Sequence, residues 1–125
     1  MIFRQLFDKN SSTYTYLIAS EKGREALIID PVLENIDIYI ESLNKLDLKL
    51  VKVIDTHIHA DHITGASQLN KKTNCSTIMG EHTPAESVQI KVKENEIIKI
   101  DGLKMKAIYT PGHTSDSYSF LMNNL

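Results

Sequence analysis

The chain has 125 residues, of which 42% are hydrophobic and 24% are charged, as is usual for a single soluble globular domain. Its formal net charge of -2 argues against nucleic acid or an anionic membrane as a partner. No apolar run approaches the roughly 18 residues of a membrane span, and residues 1–8 lack the pattern of a secretory signal, so we expect a cytoplasmic protein.

The first half of the chain is predicted to contain three strands and one helix. Apolar periodicity predicts strands over residues 13–20, 25–30 and 48–54, and a helix over residues 35–46. A turn at residues 21–24 joins the first two strands, and Pro31 ends the second. The helix is expected to bury one face, because five apolar residues recur at helical spacing: Ile36, Tyr39, Ile40, Leu43 and Leu46.

The second half is predicted to contain a short helix and further strands. The pattern predicts a helix over residues 66–72 and strands over residues 76–79, 96–100, 103–109 and 117–122. The connection 81–92 is expected to be irregular or weakly helical. Asp101 and Gly102 predict a tight type I′ hairpin turn. This mixture predicts an α/β (α+β) sandwich in one domain, residues 1–125, with the chemistry on loops at strand ends.

Histidines are concentrated directly after the strand that ends at residue 54. Within six positions stand four candidate metal ligands: His57, His59, Asp61 and His62. After a later strand, Pro111 and Gly112 form a turn that leads to His113. Imidazole and carboxylate bind zinc and iron, and with a single cysteine in the chain any metal must rest on these groups. The sequence therefore predicts a metal centre at the carboxyl ends of the strands.

Simpler interpretations of these residues stay open at this point. The three clustered histidines could form a polar, solvated loop or cap a helix, and Asp61 could be the N-cap of the following helix. His82 has no neighbouring ligand, so we expect it to be a surface or loop residue. Cys75 is predicted to be a small buried residue without catalytic function.

The two histidine segments resemble the signature of the metallo-β-lactamase superfamily, His-x-His-x-Asp-His followed by a Pro-Gly-His turn. Within that superfamily the chain is similar to the persulfide dioxygenase (sulfur dioxygenase) branch, over residues 29–32, 56–65 and 110–114. The resemblance implies an αββα sandwich. It also implies that the chain is the amino-terminal half of such a domain, truncated at its carboxyl end.

The persulfide dioxygenase branch implies a single Fe(II) ion as cofactor. By that resemblance His57 and His113 would hold the iron, together with an aspartate that would lie beyond residue 125. His59, Asp61 and His62 would orient ligands and substrate, and Asp61 is the candidate catalytic residue. The implied reaction oxidises glutathione persulfide to sulfite and glutathione.

Two alternatives of different classes remain. A thioester hydrolase of the glyoxalase II type would use two Zn(II) ions and act on a glutathione thioester. His57, His59 and His113 would hold one zinc, and Asp61 and His62 the other. The third alternative is an inactive metal-binding fragment, which could form a homodimer through an exposed sheet edge.

Overall fold

The computed structural model describes residues 1–58, 64–85, 88–112 and 114–124, without the side chains of residues 123 and 124. Its strands are β1 (Ile2–Asp8), β2 (Thr13–Ala19), β3 (Glu25–Ile29), β4 (Lys49–Ile54), β5 (Ser76–Gly80), β6 (Ile90–Val92), β7 (Ile97–Ile100), β8 (Leu103–Tyr109) and β9 (Tyr118–Asn124). Its α-helices are α1 (Ile36–Lys45), which follows a 3-10 turn at Leu33–Asn35, and α2 (Ala66–Thr73). Neither helix in this part of the chain is long and apolar enough to cross a membrane.

The larger sheet contains β1 to β6 in sequence order. Its first three strands are antiparallel neighbours, whereas β3, β4, β5 and β6 run parallel to one another. The parallel steps need crossover connections, which α1 and α2 provide between β3, β4 and β5. The carboxyl ends of these three strands consequently lie at one edge of the sheet.

Both helices pack against the same face of this sheet. The buried face of α1 contains Ile36, Tyr39 and Leu43, as the helical spacing predicts. α2 contributes Ala66 and Leu69, and the Leu69 side chain has no exposed surface. These residues form one apolar cluster with side chains from β2, β3 and β4.

The opposite face of the larger sheet packs against a three-stranded antiparallel sheet of β7, β8 and β9. Residues alternate between the two faces, as period-two strands require, so that Ile28 of β3 faces the helices while Leu27 and Ile29 face the second sheet. The described residues thus form a helix layer, a six-stranded sheet and a three-stranded sheet. This mixed α/β arrangement agrees with the predicted sandwich.

The elements predicted from apolar periodicity are present, with boundaries that agree within two residues. Two strands were not predicted. β1 is an edge strand whose residues are mostly exposed or only half-buried, so its pattern shows no alternation of apolar and polar residues. β6 lies in the connection that we expected to be irregular or weakly helical, and its three residues are too few to show a period.

The turn between β7 and β8 differs from the predicted type I′ turn. A type I′ turn requires positive φ at both central residues, but only Gly102 has one, at 82°. Asp101 is held from the other sheet, because the Arg24 guanidinium donates two hydrogen bonds to its carboxylate. The Asp101 amide also donates to Glu25 Oε1 at 2.8 Å. These contacts fix Asp101 in an ordinary backbone conformation, so the type I′ prediction is wrong.

Candidate metal centre

The candidate site lies at the edge where the parallel strands end. β3 is followed directly by Asp30, and β4 is followed by Asp55, Thr56 and His57. Because Ile29 pairs with Ile54 in the parallel ladder, Asp30 and the segment after β4 are neighbours across the sheet. The Asp30 amide donates to the Ile54 carbonyl at 2.7 Å, which extends the contact past the end of the strand.

Asp30 holds Thr56 through both of its carboxylate oxygens. Oδ1 accepts a hydrogen bond from the Thr56 backbone amide and Oδ2 one from the Thr56 hydroxyl, each at 2.8 Å. The Thr56 hydroxyl oxygen also lies 2.8 Å from Nδ1 of the neighbouring His57 ring. The three side chains therefore form a continuous carboxylate–hydroxyl–imidazole series.

Asp55 anchors the far end of the histidine segment. Its side chain is buried, and both carboxylate oxygens lie 2.9 Å from the Thr64 hydroxyl and share its single hydrogen. The Gly65 amide donates to the Pro31 carbonyl at 2.9 Å, which ties the same end to the segment after β3. Residues on both sides of 59–63 are thus fixed to strand ends.

Two hydrogen bonds join the His57 segment to the segment that follows the Pro-Gly turn. The carboxylate of Asp116, which is 4% exposed, accepts from the Ile58 amide at 2.9 Å. The Tyr118 amide donates to the Thr56 carbonyl at 2.8 Å. The two parts of the sequence that were predicted to share a metal are therefore neighbours in the structure, as these contacts between the residues that flank His57 and His113 show.

Among the predicted ligands, the structure describes His57, a half-buried residue in a bend after β4. The predictions for His59, Asp61, His62 and His113 lie outside the described residues. No group of three or more histidine, cysteine, aspartate or glutamate side chains suited to a metal occurs among the residues that are described. The N-cap of α2 is Gly65, and the alternative role of Asp61 as a cap also lies outside the described residues.

The predicted surface position of His82 and the predicted burial of Cys75 agree with the structure. His82 is exposed in a turn after β5, where its ring stacks on Tyr109 with centroids 4.0 Å apart. Cys75 is a buried member of the core between helices and sheet. Burial raises the pKa of its thiol, which disfavours the reactive thiolate.

A cavity of about 360 Å³ adjoins His57. Its described walls include the amino-terminal part of α2 and the strand β5, with polar groups from Asp55, Thr64, Asn70, Thr77 and Gln89. Several of these groups bind one another: the Thr77 amide donates to Gln89 Oε1, and the Gln89 amide to the Thr77 hydroxyl, each at 3.0 Å. The cavity next to His57 has room for a small molecule.

Sequence reasoning missed the residues that support the histidine segment. Asp55 and Asp116 were not singled out, although Asp116 stands three residues after His113, and Thr56 was noted only as part of the resemblance. The one available signal was their position, since polar residues directly after buried parallel strands lie at the edge where ligands bind. Asp30 was noted only as part of the resemblance.

Comparison with known proteins matches residues 9–124 to the metallo-beta-lactamase superfamily. The chain is 34% identical over 125 residues to the mitochondrial persulfide dioxygenase ETHE1 of Mus musculus, covering 99% of this chain and 49% of that protein. It is 32% identical over 115 residues to the hydroxyacylglutathione hydrolase of Dictyostelium discoideum, covering 92% of this chain and 43% of that protein.

A crystal structure of ETHE1 from Myxococcus xanthus superimposes on the chain with a TM-score of 0.93 at 44% sequence identity. The match covers 98% of this chain and 54% of that one. The chain thus spans about half the length of the relatives it matches. The histidine motifs, the arrangement of one helix layer on two sheets and the comparisons agree, and the chain belongs to the metallo-beta-lactamase superfamily.

Proposed function

We propose that this protein is a metal-dependent persulfide dioxygenase, which oxidises glutathione persulfide to sulfite and glutathione. The observation that carries the proposal is the similarity to the ETHE1 structure from Myxococcus xanthus, at 44% identity over 98% of this chain. Mitochondrial persulfide dioxygenases of three mammals support it, with 31–34% identity over 99% of the chain.

One described residue after β4, His57, is suited to bind a metal ion. His57 Nδ1 contacts the Thr56 hydroxyl, so the remaining ring nitrogen, Nε2, is the atom suited to bind the ion. We propose that His57 and His113 hold Fe(II), and that His59, Asp61 and His62 orient the substrate, with Asp61 as the candidate catalytic residue. These two histidines would supply part of the two-histidine, one-carboxylate set typical of non-haem Fe(II) oxygenases, with the carboxylate from the aspartate that the family resemblance implies beyond residue 125. A ferrous ion bound there would supply the activation of dioxygen.

The contribution of the described residues is to hold this arrangement rigid. Asp30 fixes Thr56, Asp116 fixes the backbone at Ile58, and Asp55 fixes Thr64 beyond the cluster. Positioning of this kind lowers the cost of ordering ligands when the metal and the substrate bind. The adjoining cavity offers space for part of a small thiol substrate.

Oxygen uptake tests the proposal directly. The full-length protein is loaded with Fe(II) without oxygen and then supplied with oxygen and glutathione persulfide, because this chain alone spans about half the length of its relatives and is expected to be inactive. We expect uptake with sulfite as product in the parent protein, and none in His57→Ala. His82→Ala is the matched control, because His82 is an exposed histidine stacked on Tyr109, and it should retain both iron and activity. Full activity of His57→Ala, or no uptake by the iron-loaded parent, would overturn the proposal.

A dinuclear zinc hydrolase acting on a glutathione thioester is the second candidate. The similarity to the hydroxyacylglutathione hydrolase of Dictyostelium discoideum, 32% over 115 residues, favours it. In that case His57, His59 and His113 hold one zinc, and Asp61 and His62 the other. Asp61→Ala separates the candidates: loss of bound metal supports the hydrolase, whereas an intact, metal-loaded variant supports mononuclear iron.

A further inference from the structure

We propose that Thr56 is a positioning residue that fixes the tautomer of His57. The hydroxyl of Thr56 keeps the proton of the neutral imidazole on Nδ1, so that the ring lone pair suited to a metal lies on Nε2. The value of this tautomer for metal binding rests on the proposed function, but the tautomer itself is a property of the metal-free protein.

The position of the proton on His57 follows from the single hydrogen of the Thr56 hydroxyl. A threonine hydroxyl has one hydrogen to donate and two lone pairs that accept. That hydrogen is donated to Asp30 Oδ2 at 2.8 Å, because a carboxylate oxygen can only accept. The hydroxyl oxygen therefore has only lone pairs to offer to His57 Nδ1, which lies 2.8 Å away. A hydrogen bond between them requires the proton to be on Nδ1.

The alternative tautomer is unfavourable in this arrangement. With the proton on Nε2, the lone pair of Nδ1 would face a lone pair of the hydroxyl oxygen at hydrogen-bond distance. Relief would require the hydroxyl to turn its hydrogen away from Asp30. That rotation would break the hydrogen bond from the Thr56 hydroxyl to Asp30 Oδ2, while Asp30 Oδ1 stays bonded to the Thr56 amide at 2.8 Å.

Asp30 is itself held in place by its backbone. It has a positive φ of 55°, which carries its side chain out of the line of β3. Its amide donates to the Ile54 carbonyl at 2.7 Å, and its carbonyl accepts from the Thr15 hydroxyl at 2.7 Å. Thr15 is buried and lies 3.1 Å from the hydroxyl of Tyr39 in α1. The position of the proton on the His57 ring is thus linked, through Asp30 and Thr15, to the packing of α1 against the larger sheet.

Thr56 should also affect the metal affinity of His57. A neutral imidazole that already presents Nε2 binds a metal ion without first moving a proton between its nitrogens. Loss of an outer hydrogen-bond partner of a histidine ligand lowers metal affinity by about 10–100-fold. We expect a loss of that size for Thr56→Val, and a much smaller one for Thr56→Ser, which keeps the hydroxyl.

Nuclear magnetic resonance of the metal-free protein tests the tautomer without any activity measurement. Histidine is labelled with ¹⁵N, and two-bond ¹H–¹⁵N correlations are recorded at about pH 8, where an ordinary imidazole is neutral. The His57 signals are identified by their absence from His57→Gln. We expect the pattern of an Nδ1-protonated ring in the parent and in Thr56→Ser, and its loss in Thr56→Val. Titration with Co(II) then measures the affinity of each variant.

The outcomes separate the inference from the proposed function. An Nε2-protonated His57 in the parent protein overturns the inference, and this measurement needs no variant to fold. Retention of the Nδ1-protonated ring in a folded Thr56→Val also overturns it. If the tautomer behaves as expected but the iron-loaded protein takes up no oxygen with glutathione persulfide, the inference stands and the proposed function fails.

Discussion

Gly80, the last residue of β5, has no space for a side chain, because the ring of Tyr118 lies against it. A Cβ atom at this position would lie 2.0 Å from Cδ1 and 2.1 Å from Cε1 of that ring. Ordinary van der Waals contact begins near 3.4 Å, so the ring would have to retreat by about 1.4 Å. We therefore predict that Gly80→Ala destabilises the protein.

The magnitude follows from how little the ring can move. Tyr118 is 2% exposed within the core between the two sheets, and its amide is bonded to the Thr56 carbonyl. Overpacking of this kind costs about 1–3 kcal/mol. Replacing glycine by alanine also restricts the unfolded chain, which returns about 0.4–1 kcal/mol. We expect a net loss of about 1–2 kcal/mol in the free energy of unfolding.

Urea unfolding of the metal-free protein measures this loss. Gly112→Ala is the matched control, since nothing lies within 4 Å of its added Cβ atom, and it should stay within about 0.5 kcal/mol of the parent. The penalty of Gly80→Ala should largely disappear in a Tyr118→Leu background, where the ring is gone. Parent-like stability of Gly80→Ala, or an equal penalty in both backgrounds, would refute the steric reasoning.

Four further predictions, for Asp116, Tyr118 and Leu69, concern stability and are measured by urea unfolding. Asp116→Ala should lower the free energy of unfolding by about 1–3 kcal/mol, because the hydrogen bond to the Ile58 amide is lost. Asp116→Asn should lower it less because asparagine keeps an acceptor oxygen, and equal losses in the two variants would contradict this role of Asp116. Tyr118→Phe should be at least as stable as the parent, because the buried hydroxyl has no hydrogen-bond partner among the described residues. Burial raises the pKa of Tyr118, so the folded protein holds the phenol proton more tightly than the unfolded chain does. The free energy of unfolding of the parent should therefore fall above about pH 10. Tyr118→Phe should lack this contribution, and an identical alkaline decline in both proteins would contradict the prediction. Leu69→Ala should cost about 2–5 kcal/mol, since Leu69 is fully buried, whereas Ser67→Ala on the exposed face should change little; a loss below about 1 kcal/mol for Leu69→Ala would show that the core is misassigned.

Local apolar patterns predict the elements of this fold that bury a regular face. The spacing of Ile36, Tyr39 and Leu43 identifies α1 and its buried side. The strands that the apolar pattern does not predict are those without such a face, namely β1 at the sheet edge and the three-residue β6. Their pairing with β2 and β5 comes from backbone hydrogen bonds, which leave no period in the sequence.

The turn at residues 101–102 shows a second limit of local patterns. Asp-Gly is a strong signal for a hairpin, and the hairpin is present, but the turn type is not the one predicted. The deciding contacts come from Glu25, the first residue of β3 in the other sheet, and from Arg24 directly before it, and both are distant from the turn in sequence. Contacts of that kind can override local propensity, and no window around the turn contains them.

The candidate metal ligands can be identified from their residue types, whereas the residues that hold them in place can be identified only from the topology of the fold. Histidines attract notice in any sequence, but the polar residues that hold them become visible only when strand order is known. Asp30 and Thr56 meet because β3 and β4 are parallel neighbours, although 26 positions separate them. Asp116 reaches the Ile58 amide across 58 positions.

A rule that names the polar residue directly after each buried parallel strand would have found part of this support. It selects Asp30 after β3 and Asp55 after β4, and both hold the histidine segment. It also selects Glu81 after β5, which is exposed. It misses Asp116, which precedes a strand of the other sheet. Position at a strand end therefore ranks candidates, and burial together with a hydrogen-bond partner decides among them.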